Sequence, residues 1–330
     1  MLRKLIVRIL HLPIVRNLLR LSKEVRFPGF EGLPLYDVMA FFIKGMQKGW
    51  LNLRASAVAF NFILAIFPAI IFLFTLIAYI PINGFQEQLL EIMQVLLPES
   101  VFASVSETFT DIITRQRGGL LSVTVISALY FSTNGVSTLI DSFNTTYHTI
   151  ESRPYLIQRV YALLITVILA VFTLIGVGLI IFGQMGMEFI SQQGWIEDGL
   201  ARFSLNVGRW IIIVALIFFA ISVLYFFGPA KQTKWRFFSA GSSLATVLVL
   251  ITSLGFTYFV ESFGQYNKLY GSIGTLVIVM LWMLFNSIAL LIGFELNASI
   301  EDAKLREIEL GKRSLGISLE EEIERGGNAG

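Results

Sequence analysis

Six long stretches of this chain contain no charged residue, and this pattern decides which solvent surrounds the fold. A helix needs roughly 20 mostly apolar residues to cross the ~30 Å hydrocarbon core of a bilayer, and every stretch reaches that length. Only 15% of the 330 residues are charged, against about 25% in a soluble domain. The sequence therefore predicts an all-α integral membrane protein with six transmembrane helices. The stretches are Ala55–Pro81, Gly118–Ile140, Val160–Met187, Trp210–Ala230, Phe237–Val260 and Leu269–Phe294.

The distribution of basic residues predicts the orientation of these helices. Cytoplasmic loops of membrane proteins carry an excess of Lys and Arg. Four segments together hold 20 of the 25 basic residues: residues 1–54, the loops after the second and fourth helices, and the C-terminal tail. These segments all lie on one side of the membrane because the helices alternate in direction. We therefore expect both termini to be cytoplasmic.

Three regions are expected along the chain. They are a cytoplasmic amphipathic segment (1–54), the six-helix membrane domain (55–300) and a charged cytoplasmic tail (301–330). Within the first region, apolar and basic residues recur at helical spacing in residues 1–22 and again in Leu35–Leu53. Basic amphipathic helices lie in the headgroup plane and attract anionic lipid, so anionic membrane lipids are the expected partners.

The longest segment on the outside, Ile82–Arg117, also has apolar residues at helical spacing. It is predicted to form two short amphipathic helices, packed against the bundle or lying on the outer leaflet. The oligomeric state stays open in the sequence, with a homo-oligomer among the alternatives.

Several kinds of chemistry are not expected from the residues present. The chain has no cysteine and only two histidines, so it lacks the usual side chains of zinc and thiolate sites. The sequence shows no acidic metal cluster and no basic groove for nucleic acid. An intramembrane enzyme would need a nucleophile–base pair or a metal triad, and neither is found. We therefore predict a protein without enzyme activity, metal, cofactor or nucleic-acid partner.

Proline and glycine mark places where the predicted helices bend or pack closely. Pro68 lies in the middle of the first stretch, where it frees a backbone carbonyl and kinks the helix. Gly271 and Gly274, at the start of the sixth, allow bending or close approach, and all three residues are gating candidates. Small residues also favour close helix contact. The pairs are Gly176 with Gly178, Gly183 with Gly186, and Gly241 with Ala245.

A polar stripe follows the cytoplasmic end of the second stretch. Asn134, Thr138, Asp141 and Asn144 recur at steps of three and four residues, which places them on one side of a helix. Arg153 follows in the next loop and is a candidate partner of Asp141. The stripe is either a set of helix-locking hydrogen bonds or a polar vestibule that meets the headgroup of a substrate.

The sixth stretch carries a second polar group at its cytoplasmic end, made of Asn286, Glu295 and Asn297. A carboxylate near a helix C-terminus opposes the helix dipole and needs a cation. Arg153, Arg159, Lys231 and the N-terminal arginines are the candidates. In the first stretch, Asn61 is expected to hydrogen-bond a neighbouring helix rather than a ligand.

Several short motifs follow one another along the chain: Ala55-Ser-Ala-Val-Ala-Phe-Asn61 with Phe67-Pro68, Asp141-Ser-Phe-Asn144, Tyr225-Phe-Phe-Gly-Pro229, Tyr270-Gly-Ser-Ile-Gly274 and Gly293-Phe-Glu-Leu-Asn-Ala298. In their order and spacing they resemble the YihY/BrkB family of bacterial inner-membrane proteins. The resemblance covers about Leu35 to Ala303. It implies six spans in the cytoplasmic membrane. Some members once carried a ribonuclease label, which the absent metal cluster argues against, and others are linked to lipid A precursor export.

Two functions from different classes fit this sequence. The first is a transporter or translocator of lipid or another envelope component, with Asp141, Asn144, Arg153 and Glu295 at the cytoplasmic mouth of a polar path. The second is a scaffold for envelope proteins that transports nothing. Transport predicts that Asp141→Asn loses flux at an unchanged protein level, whereas the scaffold predicts changes in stability alone.

Overall fold

The structure, a computed structural model, describes residues 23–27, 29–48, 50–79, 109–146, 153–192, 199–230, 237–262 and 272–314, with the single residues 90 and 106. The predicted N-terminal helix within 1–22 lies outside these residues, as does Gly271. Most of the predicted helical pair in 82–117 and the last part of the tail, 315–330, also lie outside them.

Every regular element among the described residues is an α-helix, and six of the helices are long and apolar enough to cross a membrane. This confirms the predicted fold class. A shorter amphipathic helix, α1, precedes them. The helices are α1 (Leu35–Lys48), α2 (Leu51–Ile77), α3 (Gly118–Thr146), α4 (Tyr155–Gln192), α5 (Gly199–Phe227), α6 (Ala240–Ser262) and α7 (Ser272–Ser314).

One helix boundary differs from that expected, and the last helix is longer than its uncharged stretch. The amphipathic stretch predicted to reach Leu53 ends at Lys48, and α2 begins at Leu51, so Arg54 belongs to the first turn of a spanning helix. Trp50, between the two helices, has a left-handed backbone with φ of 47°. At the other end of the chain, α7 continues through residue 301 to Ser314. Its 43 residues give a rod of about 65 Å, twice the thickness of the hydrocarbon core.

The six spanning helices pack in a ring. Each one contacts the next along the chain, and α7 contacts α2, which closes the order. Helix α1 packs on α7. Val38 of α1 is buried there against Leu296, Ile300 and Ala303 of α7. Leu33, which precedes α1, belongs to the same cluster.

The buried core lies toward one end of this ring. It contains residues from the beginnings of α2, α4 and α6, from the ends of α3 and α5, and from the middle of α7. We call this the basic end, because the segments that meet there carry most of the Lys and Arg residues, and we call the opposite end the far end. At its centre Phe143 stacks on Phe294 with ring centroids 4.1 Å apart, and Tyr225 meets both rings edge-on at 5.5 Å.

The backbones of α6 and α7 are in direct contact near the basic end. A Cβ added at Gly241 would lie 2.1 Å from the carbonyl oxygen of Gly293, and one added at Gly293 would lie 2.6 Å from the Cβ of Ala245. This confirms the close contact predicted for Gly241 and Ala245. A Cβ added at Gly176, in contrast, would meet no atom of a neighbouring helix within 4 Å in the described part of the chain. The close packing predicted for Gly176 is therefore wrong there.

Pro68 lies inside α2, which continues on both sides of it as one helix. Its ring removes the hydrogen bond that Leu64 would otherwise accept. Gly274 is buried in the first turn of α7. The gating role predicted for these two residues stays a prediction.

Candidate functional site

The candidate site is a buried ion pair at the basic end, between the first and last spanning helices. Arg54 extends from the first turn of α2, and its Nη2 lies 3.8 Å from Oε2 of Glu295 in α7. Only 10% of the Arg54 side chain and 6% of the Glu295 side chain are exposed. The cation expected for Glu295 is therefore one of the N-terminal arginines.

Arg54 also ties this pair to α3. Its Nη1 donates to the carbonyl oxygen of Ser142 at 2.8 Å and to the hydroxyl of Thr146 at 2.7 Å. Its Nε and Nη2 are buried and have no hydrogen bond in the described part of the chain. The 3.8 Å separation from Glu295 is too long for a hydrogen bond. The guanidinium is thus charge-paired, while its hydrogen-bonding capacity is only partly used.

Helix α1 covers the carboxylate of this pair. A Cβ at Gly45 would lie 1.7 Å from Oε1 of Glu295 and 2.8 Å from its Cδ, so only glycine lets the two helices approach here. Glycine costs about 1 kcal/mol relative to alanine inside a helix, and this contact gives Gly45 a packing reason. Gly45 was not among the residues predicted from the sequence, although an isolated glycine in an amphipathic helix is a usable signal.

Replacing Gly45 by alanine is expected to weaken the docking of α1 on α7. The new methyl group must displace the Glu295 carboxylate, which is held by Arg54, so we expect a loss of about 1–2 kcal/mol. Hydrogen exchange of the α1 amides measures this loss directly. Exchange as slow as in the wild type would show that the carboxylate relaxes freely and that α1 is not held by this contact.

The sequence suggested Arg153 as a partner of Asp141, but in the structure Arg153 binds elsewhere. Its guanidinium donates to three carbonyls at the end of α5, those of Phe227, Gly228 and Pro229, at 3.1, 3.0 and 2.7 Å. Its Cζ also lies 3.9 Å from the ring centroid of Tyr161. Burial lowers the pKa of this guanidinium, while the Tyr161 hydroxyl opposes that change. Arg153 therefore caps α5, whose last carbonyls have no partner within the helix.

The polar stripe of α3 forms hydrogen bonds to its neighbours. Asp141 is exposed and accepts from Nε2 of Gln158 in α4 at 2.6 Å. Asn134 accepts from the guanidinium of Arg159, also in α4. Asn144 accepts from the backbone N–H of Ala230 at 2.8 Å. These contacts join α3 to α4 and to the end of α5.

The neighbour on the other side of α3 is joined through an amide. Asn61 of α2 donates to the hydroxyl of Thr138 at 3.2 Å, which confirms the predicted bond between helices. Thr138 in turn donates to the carbonyl of Asn134 at 2.9 Å. The polar residues of α2 and α3 thus form a connected set.

The other predicted residues of α7 are divided between two roles. Asn297 is buried, accepts from the N–H of Gly241 at 2.7 Å and donates to the hydroxyl of Ser239 at 2.8 Å, which fixes the start of α6. Asn286 donates to the carbonyl of Trp282 in its own helix at 2.8 Å. The described contacts therefore bring Glu295 to Arg54, and they do not unite Asp141, Asn144, Arg153 and Glu295 in one mouth.

In the described ranges, no three His, Cys, Asp or Glu side chains lie close enough to hold a metal ion.

Comparisons with known proteins place the chain in a family. The putative ribonuclease-like protein YfkH of Bacillus subtilis is 28% identical over 76% of this chain and 90% of its own length. A UPF0761 membrane protein of Haemophilus influenzae is 22% identical over 79% of this chain and 94% of its own length. No solved structure matches. The sequence model described as virulence factor BrkB matches residues 42–315, so this membrane protein belongs to the BrkB family.

Proposed function

We propose that the protein is a transporter or translocator of lipid or another envelope component in the bacterial cytoplasmic membrane, with both termini in the cytoplasm. The observation that carries the proposal is the buried Arg54–Glu295 pair at the basic end. Ionisable groups inside a membrane domain are costly and commonly mark a path for a substrate. The pair includes Glu295, one of the residues that the sequence assigns to the cytoplasmic mouth of a polar path.

The energetics of the pair support a role beyond stability. Replacing a buried ion pair by apolar residues of similar volume is often neutral or stabilising. Two buried nitrogen atoms of Arg54 lack hydrogen bonds in the described part of the chain, which makes the pair weaker still as a structural element. A pair that must separate and form again during transport gains from this incomplete bonding, because little is lost when it opens.

The position of the pair also favours opening. It lies at the seam between α2 and α7, the two spanning helices farthest apart in the chain, so no short loop holds them together. Helix α1 covers the seam through Gly45 and joins α2 through the left-handed Trp50. Movement of α1 along the membrane surface would therefore uncover the carboxylate. Asp141, exposed at the same end, is a second group that a headgroup could meet.

The scaffold is the second candidate, and a specific observation favours it. Asn144, Arg153 and Asn297 all use their side chains to join helices. A protein that only holds partners in place needs such bonds and needs no path. The two functions differ in whether neutralising Glu295 affects movement of a lipid.

Reconstituted vesicles distinguish the two functions. Fluorescent phosphatidylglycerol and phosphatidylethanolamine serve as probes, and a quencher added outside reports their movement between leaflets. Wild-type protein is expected to accelerate movement of a probe over protein-free vesicles. Glu295→Gln is expected to reduce the acceleration by about tenfold or more, since a change of 1.4 kcal/mol is about tenfold in rate. Glu309→Gln, an exposed site on the same helix, is the matched control.

One result would count against transport of lipid, and another against the role of the ion pair in it. One is equal movement in wild-type and protein-free vesicles with both probes, which favours the scaffold. The other is normal movement in a folded Glu295→Gln protein, which removes the pair from the mechanism. In the second case Asp141→Asn tests whether the exposed acid is the group that matters.

A further inference from the structure

Arg209 is a charged residue inside a membrane span at the far end. It lies in α5, within the candidate span Phe203–Phe227. A charged side chain in such a position is costly and needs a partner. Arg209 takes no part in the ion pair at the basic end, so its presence requires a separate explanation.

The surroundings of Arg209 satisfy only part of its guanidinium. Nη2 donates to Oδ1 of Asn206, one turn earlier, at 2.9 Å. Nε and Nη1 are buried and find no hydrogen-bond partner among the described residues. Buried polar groups without partners are destabilising, so the site is complete only when an acceptor is added.

A glycine on the neighbouring helix makes room for this side chain. A Cβ added at Gly183 of α4 would lie 2.9 Å from Cδ of Arg209. The side chain thus crosses a groove between α4 and α5 that a larger residue would fill. As a whole the residue is only half-buried, so part of it is open to the outside of the bundle, although Nε and Nη1 are covered.

Other charges described at the far end do not supply the missing acceptor. Asp111 forms ion pairs with both Arg115 and Arg117, and these three residues account for one another. Trp210, next to Arg209, is 53% exposed, and its ring centroid lies 6.0 Å from the Arg209 Cζ. Exposed tryptophan is typical of the headgroup boundary, and an arginine beside it is expected at the depth of lipid phosphates.

We propose that Arg209, with Asn206 and the groove at Gly183, binds a phosphate group of a phospholipid at the far end of α4 and α5. Arginine is suited to phosphate because its planar guanidinium presents several donors at once. Rotation of the guanidinium toward the open side of the groove would let the phosphate oxygens accept from the two nitrogens that now lack partners. This site is independent of transport, since a lipid bound here needs no movement across the membrane.

Native mass spectrometry of the purified protein tests the site by titration with defined ligands. Dioleoyl phosphatidylglycerol is expected to bind the wild type, whereas dioleoylglycerol, which lacks phosphate, is not. Arg209→Gln is expected to weaken phosphatidylglycerol binding by about tenfold or more, because hydrogen bonds to a charged group are lost. Arg209→Lys keeps the charge and should bind with intermediate affinity. Arg115→Gln, at the same end, is the matched control.

Gly183→Ala keeps the arginine and closes its groove, so it tests the geometry even if Arg209→Gln fails to fold. It is expected to weaken phosphatidylglycerol binding in a folded protein. Inorganic phosphate at millimolar concentration shows whether the site binds the phosphate of a lipid or free phosphate. If it does not compete with phosphatidylglycerol, the site is assigned to lipid. If it displaces phosphatidylglycerol fully, the site is assigned to free phosphate and the lipid proposal is overturned. Equal lipid binding by folded Arg209→Gln and wild-type protein, or binding of dioleoylglycerol as tight as that of phosphatidylglycerol, would also overturn the proposal.

Discussion

Replacing Arg54 by methionine is expected to lower the free energy of unfolding by about 3–5 kcal/mol, because it removes the cation that faces the buried Glu295 carboxylate. Replacing Glu295 by leucine should destabilise the protein similarly, since Arg54 then stays buried beside Ser142 and Thr146 with no counter-charge. Reversible unfolding in mixed micelles measures both losses. Arg306→Met, on the exposed part of α7, is the control for removing a cation.

The double mutant Arg54→Met/Glu295→Leu is expected to recover at least half of either loss, since apolar residues can replace a buried pair at little cost. Losses that simply add would show that the two residues act independently and that the 3.8 Å separation has no energetic meaning. The double mutant also separates stability from function. A stable double mutant that moves no lipid would assign the pair to transport, and one that moves lipid normally would assign it to structure.

Replacing Gly241 by alanine is expected to lower the free energy of unfolding by about 3 kcal/mol, at the upper end of what overpacking usually costs. The new Cβ would lie 2.1 Å from the carbonyl oxygen of Gly293 and 2.5 Å from Cγ of Asn297. A backbone oxygen cannot rotate away as a side chain can, so α6 and α7 must move apart. This movement also strains the bond from Asn297 to the Gly241 N–H.

Gly255→Ala provides the matched comparison within α6, because nothing lies within 4 Å of the added Cβ. It should leave stability unchanged or raise it slightly, since alanine favours helix over glycine. Thermal unfolding of the two variants in the same detergent gives the difference. Equal midpoints would mean that the contact between the two backbones is looser than the distances indicate.

The fold could be predicted from the sequence because the signal for each spanning helix lies within the residues of that helix. Length and absence of charge are local properties, and they located all six helices. The same criterion placed the start of the first helix at Ala55, whereas α2 begins at Leu51. The charge of Arg54 set the N-terminal limit of the uncharged stretch. That charge is balanced by Glu295, and a local sequence pattern cannot reveal such a distant partner.

The candidate site could be predicted only in part for the same reason. Glu295 was recognised as an acid that needs a cation, but several cations were available, and the choice depends on how α7 packs on α2. Arg153 seemed suited to Asp141, which is near in sequence, but the unpaired carbonyls at the end of α5 compete for it. Gly45 matters only because α1 lies on Glu295, and that contact is a tertiary one.

The order of the ring sets a condition on how this protein is made. Arg54 enters the membrane with the first spanning helix, and about 240 residues of chain must follow before Glu295 is synthesised. At about 5–20 residues per second, the ribosome needs roughly 10–50 s for that length. During this time an arginine lies near the membrane surface without its carboxylate, and the gap between α2 and the unfinished chain stays open. Completion of the ring thus waits for the synthesis of α7, and a chain truncated before α7 exposes to the cell's quality-control proteases the surface that α7 would have covered.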